Sequence, residues 1–394
     1  MIYKNNSSKI VATYILPIGV TIFLTGLCII ESRSSYHSLL YLFIALPSLF
    51  ITITNPSLFF KSLQSHAFKL VVLLLVFATV STLWSGDTSE SLRYIRYNIN
   101  ILLFILAFIY IQNSHENLLI KILLSSAAAW AVFGAIELFN FYFIQKHALS
   151  ARIIGSGSLT NTLLTSHVYG AFAALLANYI LIQRMSIFRL AVLLVTFLVI
   201  LIFIIQTHSR TPLIGLSAVL IALLLKYRNK QAVYFLVFLV TLTATYLIFN
   251  LELLTQRGFS YRPEIWGLAL ENIINKPILG HGLGSQMSLY IPSLGIAFSD
   301  SHNIHIGLVY DLGLLGLSLW LITLFTLFKL YRQHHNNHLI ATGLSILIFG
   351  FFAGMTEGGG FFTRPKEVWF LTWLPIAILI STEINLIKYK ENVN

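Results

Sequence analysis

One short segment of this chain concentrates residue types suited to proton transfer. Ser301-His302-Asn303 is followed, after nine residues, by Gly313-Leu314-Leu315-Gly316. A neutral imidazole takes up a proton near neutral pH, so His302 is the candidate general base. If His302 to Gly316 runs as one helix, His302 and Gly313 lie within about 20° of each other around its axis, and Gly316 lies near the same stripe. Small residues on one stripe let a neighbouring helix come close, which would turn His302 into a bundle. The same place also suits a histidine that only caps or anchors a helix end. His302 and His305 could share a metal ion, but no third ligand is evident.

A second set of residues suits anions. Arg257, Arg262 and Trp266 stand together in a long segment, and Arg210 lies in His208-Ser209-Arg210-Thr211-Pro212 at the end of an apolar run. Arginine offers a planar, permanently charged fork that fits phosphate bidentately. At membrane depth it faces a cavity or a partner; for Arg210 that is an anionic ligand or a distant acid such as Glu264, Asp300 or Glu357. Gly280-His281-Gly282-Leu283-Gly284 has no strand before it, so it reads as a tight turn rather than a dinucleotide loop. Gly358-Gly359-Gly360, beside Glu357 and Arg364, reads as a flexible loop over a substrate. The 14 acidic residues contain no D-x-D or D-x-E pair. Metal-dependent transfer to or from a phosphate would want such carboxylates, so neither a metal nor another cofactor is expected.

The elements that must hold these residues are membrane helices. Of the 394 residues, 57% are hydrophobic and 10% charged, against about 25% charged in soluble domains. The net charge of +11 would suggest nucleic acid on a soluble protein; on scattered bases between apolar runs it points instead to membrane lipid. About twelve apolar runs approach the length of a bilayer span: 11–30, 38–54, 68–84, 97–112, 118–143, 164–183, 187–206, 212–225, 232–249, 304–330, 339–355 and 369–387. The first is expected to be an uncleaved span, because it is long and lacks a small-residue cleavage site. Cys28 is the lone cysteine, which excludes an intramolecular disulfide. The chain therefore reads as an all-α polytopic membrane protein, one integral membrane domain over 1–394, with one large loop over 250–302. That loop carries a helical pattern (Ile265, Leu268, Ala269, Ile273) and a Pro-Gly stop. With the N-terminus inside, the inner side holds ten lysines and four arginines, and the outer side three lysines and eight arginines. Topology needs only positive charge inside. The outer arginines are therefore read partly as helix anchors and partly as phosphate ligands.

Together these motifs resemble the O-antigen ligases and the broader family of O-antigen polymerases and bacterial O-oligosaccharyltransferases. The resemblance rests on His302-Asn303 spaced to Gly313-x-x-Gly316, Ser209-Arg210 closing a helix, and Arg262-x-x-x-Trp266 followed by Asn275-Lys276-Pro277-x-x-Gly280-x-Gly282-x-Gly284. Leu83-Trp84-Ser85 before Arg93 and Arg96 is a weaker match. The resemblance implies a GT-C-like fold and an inner-membrane glycosyltransferase with both termini cytoplasmic, its large loop and its active site facing the periplasm. O-polysaccharide on undecaprenyl diphosphate would be the donor and lipid A–core oligosaccharide the acceptor, with inversion and without a metal. By position, His302 would deprotonate the acceptor, and Arg210, Arg262 and Arg257 would hold the diphosphate. Asn303, Gly313, Gly316, Trp266, Arg93 and Arg96 would support them. An O-antigen polymerase is the alternative within this class, and a lipid or glycan transporter is the alternative outside it. A transporter would favour internal repeats, which the sequence does not show.

Overall fold

A backbone away from water must satisfy its own N–H and C=O groups, so apolar runs of this length become helices. The computed structural model describes residues 3, 5–86, 88–115, 117–182, 185–227, 230, 233, 234, 237, 241, 261–357 and 360–393. In chain order come Asn6–Ile29 (α1), Arg33–Thr54 (α2), His66–Trp84 (α3), Ser89–Ser114 (α4), Leu118–Ile144 (α5), Thr162–Ile182 (α6) and Ile187–Gln206 (α7). Thr211–Tyr227 (α8) and Arg262–Ile274 (α9) follow, then Ile304–Gln333 (α10), His338–Gly354 (α11), Val368–Leu371 (α12) and Trp373–Val393 (α13). Eight of the described helices, α1–α7 and α10, are long and apolar enough to cross a membrane. The runs 212–225 and 339–355 become the shorter apolar helices α8 and α11, and 369–387 falls on α12 and α13. The run 232–249 lies outside the described residues except for isolated positions.

Two spans change pitch beside a proline. α1 is π-helical over Val11–Ile15 just before Pro17, and α2 over Tyr41–Ala45 just before Pro47. Proline lacks the N–H that would reach back one turn, and its ring crowds that carbonyl. The main core is aromatic as well as aliphatic: Phe23 stacks on Phe370 at 4.8 Å, Phe104 meets Trp369 at 5.0 Å, and the Trp130 indole donates to the Leu24 carbonyl.

α10 corrects the expectation of one continuous helix. Gly313 sits at φ 63°, ψ −165°, so the helix breaks there and the helical phase shared by His302, Gly313 and Gly316 is lost. A regular helix would pair the amides of Leu314 and Leu315 with the carbonyls of Tyr310 and Asp311. The segment 277–282 takes over all four groups. His281 and Gly282 donate to Tyr310 and Asp311 at 2.8 and 2.9 Å, while Leu314 and Leu315 donate to Pro277 and Ile278 at 2.8 and 3.2 Å. The glycines thus admit a loop backbone and not a neighbouring helix. A Cβ on Gly280 would lie 2.4 Å from the Asp311 oxygen, and one on Gly313 would lie 2.2 Å from the Ile278 oxygen. The Gly280–Gly284 run, read as a tight turn, has positive φ at all three glycines and also straps this break.

The described part of the large loop, residues 261–302, is not purely helical. α9 forms where its apolar pattern lies. Beyond it, Leu289–Ile291 (β1) and Ile296–Phe298 (β2) pair antiparallel, with Tyr290 opposite Ala297. Ile265 and Ala269 of α9 pack on Leu289 and Ile291, with Trp266, Phe298 and Ile306 around them. This small second core fixes the start of α10.

Candidate functional site

His302 lies just before α10. Asn303 is the N-cap: its side chain accepts from the amides of His305 at 2.9 Å and Ile306 at 3.2 Å. Such a cap at the helix start is worth about 1 kcal/mol. His302 itself has φ 47°, a left-handed conformation uncommon for a side chain with a Cβ. Asp300 Oδ1 explains the pose. It accepts from the His302 amide at 2.8 Å and lies 3.1 Å from His302 Nδ1. A carboxylate at Nδ1 favours the tautomer with the proton on Nδ1 and a free lone pair on Nε2, which is the form a general base needs. Among the described residues nothing hydrogen-bonds Nε2, and the side chain is 35% exposed. The edge of Phe298 from β2 packs against the ring at 5.5 Å. The motif's own acid is Asp311; the partner of His302 is Asp300, two residues upstream and outside the motif.

The arginines converge through Thr356, a residue the sequence did not single out. Its carbonyl accepts from Arg262 Nε and Nη2 at 3.2 and 3.0 Å. Its hydroxyl meets that of Thr211 at 2.6 Å, and Thr211 begins α8 directly after Arg210. The turn between α7 and α8 falls where Pro212 and the polar run interrupt the apolar stretch. His208 there has φ 51°, and the Arg152 guanidinium closes it on the Thr207 carbonyl at 2.9 Å. Thr356 follows α11 by two residues, and Phe351 near the end of α11 accepts from His305 at 3.1 Å. Gly354 allows this approach, since a Cβ there would meet the Ile304 side chain. One end of α11 therefore holds both Arg262 and the start of α10.

Arg210 also heads a groove. Arg210, Leu213, Ile214 and Ile221 line a cavity of ≈ 800 Å³ together with Ile348 and Phe352 from α11. Ile214, Ile221 and Phe352 are exposed apolar side chains on this wall, which suits a lipid chain more than water.

The other named residues divide. Trp266 belongs to the small core between α9 and the hairpin. Arg93 pairs with Glu90 at 2.8 Å, and Arg96 lies 5.9 Å over the Tyr97 ring. They flank Gly284, whose neighbours are Tyr94 and Glu90, and no described contact joins them to Arg210 or Arg262. Gly316 lies three residues beyond the break in α10. Arg257 is outside the described residues, as are Gly358 and Gly359. His302 and His305 do not share one helix face: His302 precedes the helix, and His305 Nε2 faces the Phe351 carbonyl. Among the described residues no group of three His, Cys, Asp or Glu side chains could hold a metal ion.

Charge at this end is balanced locally. Glu367 pairs with Arg33 at 3.0 Å. Lys366 is half-buried, and desolvation pulls its ammonium below the ordinary lysine pKa, while Glu367, Glu357 and Asp300 oppose that shift. Deeper in, His167 Nδ1 lies 3.9 Å from Glu357 Oε2. His167 carried no signal in the sequence, because its described partner Glu357 lies far along the chain.

A family model described as O-antigen ligase matches residues 195–321. That stretch contains Arg210, Arg262, Trp266, His302, Asn303, Gly313 and Gly316. A protein named O-antigen ligase from Pseudomonas aeruginosa is 35% identical over 381 residues, covering 96% of this chain and 93% of its own.

Proposed function

The chain belongs to the O-antigen ligase family, and from that premise we propose that it transfers O-polysaccharide from undecaprenyl diphosphate to lipid A–core oligosaccharide at the periplasmic face of the inner membrane. One observation carries the reading. A histidine oriented by a carboxylate lies at the same end of the bundle as two arginines, one of which heads an apolar groove. The polyprenyl chain would lie along the groove beneath Arg210, with its diphosphate between Arg210 and Arg262. Arg262 keeps Nη1 for that purpose, since Nε and Nη2 are spent on Thr356.

In the proposed step, His302 Nε2 accepts the proton of the acceptor hydroxyl. The hydroxyl oxygen bonds to the anomeric carbon from the face opposite the diphosphate. The bond from that carbon to the phosphate oxygen breaks, and undecaprenyl diphosphate leaves with the electron pair. A single displacement inverts the anomeric centre. Diphosphate is already a good leaving group, and fixed guanidinium charge stabilises it further.

Arg210→Lys and Arg262→Lys test the clamp. Each keeps a charge but loses the fork. Loss of one charge-assisted hydrogen bond corresponds to about 10–100-fold in kcat/KM. Wild-type donor KM in both variants would make these residues helix anchors.

The reaction itself is tested in two host strains, one lacking its ligase and one lacking its polymerase, with compatible O-units and core. Expression should restore O-antigen on lipopolysaccharide in the first strain only. Restored chain-length ladders in the second strain alone would favour a polymerase. With purified donor and acceptor, transfer should persist in EDTA; complete loss, restored by Mg²⁺ or Mn²⁺, would overturn the metal-independent step.

A further inference from the structure

The opposite end of the bundle carries a second cavity that the transfer reaction does not use. α3 starts there at His66, and near its other end the Ser81 hydroxyl accepts from the Leu283 amide at the candidate-site end. α10 runs the other way, from the candidate site to Gln333. Between the two lies a cavity of ≈ 650 Å³ lined by His66, Lys69, Lys329, Gln333 and Glu383 above Leu70 and Phe325. The Glu383 carboxylate is engaged by the Ser65 hydroxyl. Two lysines therefore face one carboxylate, and His66 and Gln333 add donors.

The helix faces leading away from this cavity are apolar and exposed. On α3, Lys69 is followed at helical spacing by Leu73, Val76 and Val80, which are 50%, 53% and 44% exposed. On α10, Lys329 is preceded by Phe325 and Ile322, 68% and 49% exposed. Residues three and four apart share a helix face, so each lysine ends an outward apolar stripe. Positive charge at a span end has a general role in topology. That role does not require two helices to aim their lysines into one cavity, each above its own lipid-facing stripe.

We propose that this cavity binds the phosphate of an anionic phospholipid, in the leaflet at the end opposite the candidate site, with acyl chains along the two stripes. Lys69 and Lys329 hold the phosphate as point charges, and His66 and Gln333 donate to its oxygens or to the headgroup. Basic pockets between spans recognise acidic headgroups by this combination of charge and apolar support.

The test uses the purified full-length chain in mixed micelles, with thermal unfolding as the readout. Phosphatidylglycerol should raise Tm by at least about 3 °C over phosphatidylcholine. K69Q/K329Q should abolish that difference, and K69R/K329R, which keeps both charges, should preserve it. If the double Gln variant does not fold, K69Q and K329Q singly should each lose about half of the shift. A full shift in the Gln variants, or loss of it in the Arg variant, overturns the proposal. Inorganic phosphate reproducing the shift on the wild-type chain would also overturn it, by making the cavity a site for free anions.

Discussion

His302→Ala is expected to lower glycan transfer by about 10²–10⁴-fold while leaving the amount of folded protein in the membrane unchanged. The side chain is partly exposed, and apart from Asp300 its described neighbour is the edge of Phe298. Little packing is lost with it. Alanine keeps a Cβ and so inherits the left-handed strain at φ 47°. His302→Gly relieves that strain by roughly 1–2 kcal/mol, so it should be more stable than the alanine variant and equally inactive. This pairing separates chemistry from folding. Asp300→Asn completes the series: an amide can donate toward Nδ1 and favour the wrong tautomer. It should lower the rate with less effect on acceptor KM. Purified enzymes with defined donor and acceptor provide the measurement. A His302→Ala enzyme keeping more than a few per cent of the wild-type rate would exclude His302 as the base.

Gly313→Ala is expected to cost several kcal/mol and to reduce the yield of monodisperse protein. Its Cβ would stand 2.2 Å from the Ile278 oxygen and 2.6 Å from the Gly280 nitrogen, both backbone atoms that cannot step aside. Either the loop 277–282 leaves the break, or α10 straightens and displaces it. Four backbone hydrogen bonds are then lost or re-formed at the expense of the loop. Each is worth about 1 kcal/mol net in water and more where no water replaces it. Gly280→Ala meets the same contact from the other side and should behave alike. Gly267→Ala is the control. It lies within α9 with nothing within 4 Å of an added Cβ, so it should stabilise by about 0.5–1 kcal/mol. Thermal unfolding in detergent compares the three. Wild-type stability and activity in Gly313→Ala would show that the loop does not occupy the break.

Several features of this protein were legible in the sequence because they depend on local chemistry. Apolar length determines a span, so α1–α7 and α10 fall on the expected runs. Pro212 and its polar neighbours end one helix and start another, and the pattern at Ile265, Leu268, Ala269 and Ile273 foretells α9. Residue type and motif spacing made His302, Arg210 and Arg262 candidates, since an imidazole suits a base and guanidinium groups suit a phosphate clamp without metal. The hairpin was not foreseen: its strands are three residues each and rest on α9 for support. Asp300 lay two residues from His302, yet their contact depends on a left-handed turn that residue identity does not specify. Gly313 was misread for a related reason. A glycine spaced correctly for a helical stripe and a glycine that breaks the helix look the same until a second backbone arrives. Here that backbone comes from Pro277–Gly282, more than thirty residues earlier, and it gives each of the four groups freed from the helix a new partner. Thr356 joins Arg262 to Thr211 across 94 and 145 residues, through a carbonyl and a hydroxyl. Local sequence sets which groups a segment offers; which distant group satisfies them is decided only when the helices pack.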